Sequence, residues 1–178
     1  MSVSRYHPAL VVLHWLIGIL VVVALVMGTF VLQEIPNTSA EKINALKGHM
    51  TVGIIILLLM IIRLIVKIAT EKPAMSRTGN AFLDKLGVAI HHSFYLFIIL
   101  MAFAGIGITV QAGLPDIVFG GSGEPLPKDF FEFPPRIGHA IIAKILMIMI
   151  ALHVVGALYH QIKLKDRLIS RMWFGKRQ

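Results

Sequence analysis

Four long apolar stretches, separated by polar segments, make up most of this chain. They run over residues 9–32, 48–68, 86–110 and 137–162. As a helix, each is long enough to cross the hydrocarbon core of a bilayer, which takes about 20 residues. The runs are unbroken, which favours helices, because a transmembrane barrel strand alternates apolar and polar residues. The pattern therefore predicts an all-α fold: an integral membrane four-helix bundle with short loops.

Composition agrees with this pattern. Of the 178 residues 57% are hydrophobic, and the mean hydropathy is +0.81. A soluble domain of this length is less apolar, so we expect one membrane domain over residues 1–178. The chain has no cysteine, which excludes disulfides and thiolate ligands. The apolar run that follows Arg5 is too long for a signal peptide, and we interpret it as the first span.

Basic residues indicate how the bundle is oriented. The net charge is +8, and twelve of the 17 Lys and Arg residues lie in the terminal segments and in the connection at 63–86. Lys and Arg accumulate on the cytoplasmic side of membrane proteins, so both termini are predicted to be cytoplasmic. The basic C-terminal tail after residue 162 is expected to lie along the membrane surface. Charges clustered beside spans are explained by the lipid bilayer, and we expect no nucleic-acid partner.

Histidines recur inside the predicted spans. His139 and His153 are fourteen residues apart, which places them ~40° apart around a helix axis and ~21 Å apart along it. The topology puts His49 at the depth of His139, near the outer surface, and His14 at the depth of His153, toward the cytoplasm. An ionisable residue inside a membrane is costly and suggests a function. For any single histidine, an interhelical hydrogen bond is an equally good explanation.

Two depth-matched pairs that share one helix suit a particular chemistry. Haem can be bound by two imidazoles, one on each side of the macrocycle, from different helices of a bundle. Two such centres would form an electron path across the membrane. Imidazole also suits Zn²⁺, so a metal-ion transporter is an alternative from another class. It is the weaker hypothesis, because no Asp or Glu lies within the four apolar stretches.

Several segments in this order resemble the bacterial cytochrome b561 family of small di-haem membrane cytochromes. They are LHW at 13–15, GHMTVGIIILLLMIIRLIVK at 48–67, IHHSFYLFIILMAFAG at 90–105, and GHAIIAKILMIMIALHVVGALYH at 138–160 followed by KD. The resemblance covers nearly the whole chain. It implies that His14 and His153 ligate a haem b on the cytoplasmic side, and that His49 and His139 ligate a second haem b on the outer side.

The resemblance also implies a quinone partner in the bacterial inner membrane. One activity in the family is oxidation of superoxide to O₂ with electrons passed to ubiquinone. The quinone role falls on His160, in the matching ALYH segment, and on His91, which precedes the matching Tyr95. His92 is 100° from His91 on a helix, so one of the two is predicted to be structural. A second hypothesis is a cytochrome b subunit docked to a partner dehydrogenase or hydrogenase.

Two basic residues within the predicted spans, Arg63 and Lys144, can each be interpreted in more than one way. Arg63 either binds a haem propionate or extends to the lipid headgroups as an anchor. Lys144 lies inside the fourth span, where a lysine is costly. It pairs with a propionate, or forms with Lys47 and Arg136 a cationic funnel for superoxide, or extends outward to the headgroups.

Overall fold

The computed structural model describes residues 3–175 of the chain. Its elements are four long helices and a short one: α1 (Pro8–Val26), α2 (Ala40–Ala69), α3 (Ala81–Gln111), α4 (Pro134–Leu158) and α5 (Leu168–Arg171). No strand occurs among the described residues, which confirms the predicted all-α fold. Lys176 and Arg177, which were counted with the basic tail, lie outside the described residues.

All four long helices are long and apolar enough to cross a membrane, which confirms the predicted bundle. π-helical turns extend α1 to Val31 and α4 to Leu164. Three helices begin several residues earlier than the apolar pattern predicts: α2 at Ala40 rather than at residue 48, α3 at Ala81 rather than at residue 86, and α4 at Pro134 rather than at residue 137. Charged residues stand among the early residues of each, such as Glu41, Asp84 and Arg136, and hydropathy alone therefore does not detect these turns.

Side-chain caps explain where three of the helices begin. Ser39 Oγ accepts the N–H of Glu41, and Asn80 Oδ1 accepts the N–H of Phe82, as is usual at a helix N-cap. His7 is the residue before Pro8, where α1 begins, and its Nδ1 accepts the N–H of Ala9 at 3.2 Å. Each cap satisfies a backbone donor that the helix cannot pair.

The bundle consists of two hairpins. α1 packs along α2 and α4 packs along α3, and α2 joins the hairpins through α3. One apolar core runs through all four helices, with Leu13, Ile17, Val21 and Leu25 from α1, Ile56 and Met60 from α2, Ile98 from α3 and Leu146 from α4. In contrast, α4 makes few close backbone contacts with α1 or α2. Side chains therefore fill the space between α4 and the first hairpin, and this is where the histidines lie.

The outer faces of the helices are covered with exposed apolar side chains. Ile19, Ile65, Phe103 and Ile148, one from each long helix, are all exposed. A soluble protein rarely leaves so much contiguous apolar surface in water. A bilayer supplies the apolar surroundings that these faces need.

The first and the last described segments of the chain lie at one end of the bundle, here called the terminal side. The Arg5 guanidinium donates to the carbonyl of Ser170 at 2.7 Å, and the indole N–H of Trp15 donates to the carbonyl of Met172 at 2.8 Å. The tail is therefore bonded to the start of α1, a contact that the sequence pattern did not predict.

The opposite side carries the 32–39 and 112–133 connections. Lys42, at the start of α2, is only 6% exposed. Its ammonium group donates to the carbonyls of Leu32 and Ile35, which follow the last turn of the first span. A lysine often caps a helix end in this way, because the last carbonyls have no partner within the helix. Lys42 is thus a structural cap as well as one of the basic residues on this side.

Candidate functional site

On the opposite side, His49 of α2 and His139 of α4 face each other across the gap between the hairpins. Their ring centres are 6.1 Å apart and the ring planes meet at 63°. On the terminal side, His14 of α1 and His153 of α4 face each other in the same way, at 6.0 Å and 71°. Both depth-matched pairs of the sequence analysis are therefore also pairs in space.

The spacing within each pair fits two imidazoles on one metal ion. A metal–imidazole bond is about 2 Å long and the ring centre lies roughly 1 Å further on, so two rings on opposite sides of one ion are about 6 Å apart. The two pairs differ by only 0.1 Å, at 6.0 and 6.1 Å. Because α4 is not packed tightly on α1 or α2, a flat macrocycle can enter between the rings. The residues present fit haem at both places.

One imidazole nitrogen adds to this fit. Nδ1 of His49 is buried and has no hydrogen-bond partner, the one such side-chain atom among residues 3–175. Buried polar atoms are almost always paired, so an unpaired one calls for an explanation. A ring with this freedom can turn to bind a further group in the gap.

Glycines lie against both imidazoles of the pair on the opposite side. A Cβ atom placed on Gly28 would lie 3.2 Å from Cε1 of His49, and one on Gly105 would lie 3.7 Å from Nε2 of His139. Gly28 belongs to the π-helical turn Met27–Val31 that ends the first span. Such turns are frequent at functional sites. The sequence analysis missed Gly28, because nothing along the chain links it to His49.

His91 and Phe94 of α3 flank His153. Their ring centres lie 5.1 and 5.5 Å from that of His153. At 5.1 Å, His91 is too close to share a metal ion with His153 across a macrocycle, so it lies beside the pair rather than in it. Its Nδ1 donates to the carbonyl of Gly87 at 2.7 Å, which leaves Nε2 free of that bond. His92 is exposed and its Nδ1 donates to the carbonyl of Val88.

An arginine accompanies each pair. Arg63 is partly buried, donates to the carbonyl of Leu10 at 2.7 Å and interacts electrostatically with His14 and His153. This position suits a bond to a carboxylate at that site.

Arg136 is the counterpart at the other pair. It interacts electrostatically with His49 and His139, and its guanidinium lies 4.5 Å from the centre of the Phe131 ring. The sequence analysis considered Arg136 only as part of a funnel. Arg136 is three residues before His139, and residues at this spacing share a helix face. This spacing could have predicted that Arg136 lies beside the pair.

Lys144 is not brought to either pair. Its side chain is exposed and, among the described residues, makes no hydrogen bond or ion pair. It lies ~140° around α4 from His139 and ~180° from His153. Lys47 lies over the ring of Phe119, 5.6 Å from its centre. The structure gives no support for Lys144 as a group at the candidate metal sites.

His160 lies beyond the pair on the terminal side, in the π-helical turn Tyr159–Leu164 that follows α4. Its side chain is 13% exposed, and its Nδ1 bonds to Oδ2 of Asp166 at 2.6 Å. No hydrogen bond or ring contact joins His160 to His91 within the described part of the chain. Nothing in the periodicity of the chain links Asp166 to His160, although Asp166 belongs to the KD pair of the resemblance.

An open cavity of about 280 Å³ lies on the same side. It is lined by Met75 from the 70–80 connection and by Asp84, Lys85, Val88 and Ala89 of α3. Asp84 also interacts electrostatically with His160. Val88, which lines the cavity, is three residues before His91 on α3 and shares a helix face with it, although neither His91 nor His160 lines the cavity itself.

Comparison with known proteins agrees with this geometry. The family model described as prokaryotic cytochrome b561 matches residues 5–175. Three curated proteins are similar to this chain over nearly its whole length. The protein named "Probable superoxide oxidase CybB" of Yersinia pestis is 26% identical over 98% of both chains. "Cytochrome b561 homolog 1" of Escherichia coli is 25% identical over 95% of this chain and 97% of its own length.

The third relative is "Cytochrome b562" of Cereibacter sphaeroides, 26% identical over 94% of both chains. The three names are those of a probable superoxide oxidase and of two b-type cytochromes, and the family match spans all four long helices. The chain therefore belongs to the prokaryotic cytochrome b561 family and is a membrane-embedded haem b electron-transfer protein.

Proposed function

We propose that the protein is an oxidoreductase that moves electrons across the bacterial inner membrane through two haem b groups, one at each imidazole pair. Superoxide on the outer side is the donor, and ubiquinone on the cytoplasmic side is the acceptor. The observation that carries the proposal is the matched spacing of the pairs, 6.0 and 6.1 Å, at the two ends of one helix.

His14 with His153, and His49 with His139, would hold the two haem groups. Haem held in this way would supply reversible one-electron chemistry. Arg63 and Arg136 are the groups that would bind carboxylates at the two sites. Between the pairs, the buried side chains of Ile56, Met60, Ile98 and Leu146 exclude water from the middle of the bundle. In this single domain, α4 therefore supports both sites at a separation of ~21 Å along its axis.

Superoxide as the donor is supported by two observations. The Yersinia pestis relative, aligned over 98% of both chains, is named a superoxide oxidase. The positive charge of Arg136 lies next to the outer pair, where it attracts an anion. Loss of one electron from superoxide releases O₂ and needs no proton, so the outer side requires electrostatic attraction rather than an acid or base.

Ubiquinone as the acceptor is supported by the histidines and the cavity on the terminal side. Reduction of a quinone to a quinol consumes two electrons and two protons. His160 can give a proton from its second ring nitrogen and recover it from cytoplasmic water. The ring centre of His91 lies 5.1 Å from that of His153, and His91 stands on α3, the helix whose first turns line the cavity. The Lys and Arg distribution supports cytoplasmic termini.

The haem assignment is tested by haem content. We expect two haems per protein, and we expect each of the changes His14→Ala, His49→Ala, His139→Ala and His153→Ala to remove one haem and leave the other. His92→Ala is the control, because His92 is exposed and outside both pairs. Loss of both haems, or of neither, in all four variants would contradict the pairing.

The direction and the substrates are tested by stopped-flow spectroscopy of protein with known haem content. We expect superoxide to reduce the haems and ubiquinone to reoxidise them. His160→Ala should keep both haems and slow the reoxidation, and an unchanged rate would remove His160 from the quinone site. A dehydrogenase subunit that co-purifies in fixed stoichiometry would favour the subunit hypothesis instead.

A further inference from the structure

We infer that Asp166 is a positioning residue for His160: its carboxylate fixes the proton on Nδ1 and thereby presents Nε2 to the quinone. This inference rests on the proposed quinone role of His160. It adds a residue of the tail, outside the four spans, to the site where quinone protons are handled.

The carboxylate of Asp166 is held by three donors. Oδ2 accepts the Nδ1–H of His160 at 2.6 Å and the hydroxyl of Ser76 at 2.5 Å, and Oδ1 accepts the N–H of Leu168 at 3.1 Å. The donors come from the π-helical turn after α4, from the 70–80 connection and from the start of α5. Partial burial raises the pKa of Asp166, but the hydrogen bonds from Ser76 and His160 outweigh it, so the pKa lies below its usual value. Asp166 is therefore ionised at neutral pH.

The backbone is bent specifically at this carboxylate. Had the helix continued, Asp166 would lie ~120° around the axis from His160 and ~9 Å further along it. Instead the π-helical turn ends at Leu164, and the residues on both sides of Asp166, Lys165 and Arg167, have φ of 55° and 56°. They are the only residues other than glycine with positive φ in the described part of the chain.

This conformation is unfavourable for residues that have a Cβ. Such strained positions cluster at functional sites, where the surrounding structure holds them in place. Here the left-handed conformation of the two residues that flank Asp166 turns its carboxylate back onto the imidazole of His160.

The bond determines which nitrogen of His160 reacts. An ionised carboxylate can only accept, so Nδ1 carries a hydrogen and the exchangeable position is Nε2. When His160 is doubly protonated, Nε2–H gives its proton to the reduced quinone oxygen. The neutral imidazole that remains keeps its Nδ1–H on Asp166 and takes a proton from cytoplasmic water at Nε2. The electrons are those that the proposed oxidoreductase activity supplies. The proton leaves and returns at Nε2, so Asp166 itself neither gains nor loses a proton.

Other charged groups near this pair are on both the tail and α3. Asp84 of α3 interacts electrostatically with His160, while Lys163, Lys165 and Arg167 are neighbours along the tail. Asp84 Oδ1 accepts both the N–H and the hydroxyl of Thr78 at 2.7 Å, and is therefore occupied in shaping the 70–80 connection. Among these groups Asp166 is the carboxylate bonded directly to the imidazole.

Asp166→Asn tests the inference, because asparagine keeps the shape and removes the charge. We expect kcat of ubiquinone reduction to fall about 10–100-fold, as is typical when a group that orients a histidine is removed. KM for quinone, haem content and the rate of haem reduction by superoxide should stay unchanged. The solvent deuterium isotope effect on kcat should rise, because proton transfer becomes slower. Ser76→Ala should give a smaller loss of the same kind.

The matched control is Arg171→Ala. Arg171 donates to the carbonyl of Ala74 at 2.6 Å, so it ties the tail to the same connection without touching His160. We expect this variant to keep the kcat of quinone reduction. If it loses as much kcat as Asp166→Asn, Asp166 acts only by docking the tail and the inference is overturned.

Two further outcomes separate this inference from the function on which it rests. If His160→Ala slows quinone reduction and Asp166→Asn leaves both kcat and the isotope effect unchanged, the positioning role is wrong and the quinone role of His160 stands. If His160→Ala itself reduces quinone at the rate of the unmodified protein, the proposed function fails at this site.

Discussion

Gly28 should control whether the outer site holds its haem. A methyl group at Gly28 would place Cβ 3.2 Å from Cε1 of His49. Carbon atoms prefer separations of about 3.5–4.0 Å, so the imidazole would have to retreat by roughly 0.3–0.8 Å. The ring is the part that yields, because its Nδ1 has no hydrogen bond to hold it. Metal–ligand distances tolerate only about 0.2 Å.

The size of the effect follows from this displacement. Overpacking by one methyl group costs about 1–3 kcal/mol, and 1.4 kcal/mol is tenfold in an equilibrium. We therefore expect Gly28→Ala to weaken retention of the outer haem by about five- to 150-fold, and Gly28→Val to abolish it. The inner haem should remain, since His14 and His153 lie at the other end of the bundle.

Haem content per protein and the spectrum of the remaining haem measure this outcome. The spectrum of Gly28→Val should match that of His49→Ala and differ from that of His14→Ala. Two graded controls are available: Gly18, where an added Cβ meets no atom within 4 Å, and Gly105, where it lies 3.7 Å from His139. Both should keep two haems when changed to alanine. Full haem content with an unaltered outer spectrum in both Gly28 variants would refute the reasoning.

Three further predictions follow from charged residues. Lys42→Met leaves two backbone carbonyls of the first span without their partner and should lower the free energy of unfolding by about 1–3 kcal/mol, whereas the exposed Lys128→Met should change the melting temperature little. The lowered pKa of Asp166 means that its hydrogen bonds stabilise the tail above about pH 4 and are lost as the pH falls through the folded-state pKa. Hydrogen-exchange protection of 165–174 should therefore decrease in acid, and Asp166→Asn, which has no carboxylate to titrate, should remove this dependence on pH. If Lys144 attracts superoxide, Lys144→Glu should lower the rate of haem reduction and weaken its salt dependence, and an unchanged rate would remove it from the outer site.

Much of the fold could be predicted from the sequence, because the governing interactions are local. Hydropathy and the length needed to cross a bilayer identify four spans. The regular rise and rotation of one helix place His139 and His153 on one face at two depths. The number of spans then assigns His49 and His14 to matching depths. None of these steps depends on how one helix packs on another.

Helix boundaries were less accessible, since they depend on caps rather than on hydropathy. The first residues of α2 and α3 include charged side chains and are nevertheless helical, because Ser39 and Asn80 accept their first N–H groups. The burial of Lys42 is likewise a capping feature that hydropathy does not predict. Its partners are the backbone carbonyls of Leu32 and Ile35, just after the first span, and nothing in a charge count identifies them.

The sequence by itself determined the class of the protein, its four spans and which histidines share a depth, because these follow from the periodicity of single helices. Only the tertiary structure decided which side chains meet, because helix packing sets the rotation of each helix about its axis. That rotation brings the pairs to 6.0 and 6.1 Å and turns Lys144 away from both. Likewise, the π-helical turns place Gly28 on His49 and return Asp166 to His160, since each breaks the periodicity on which sequence reasoning depends.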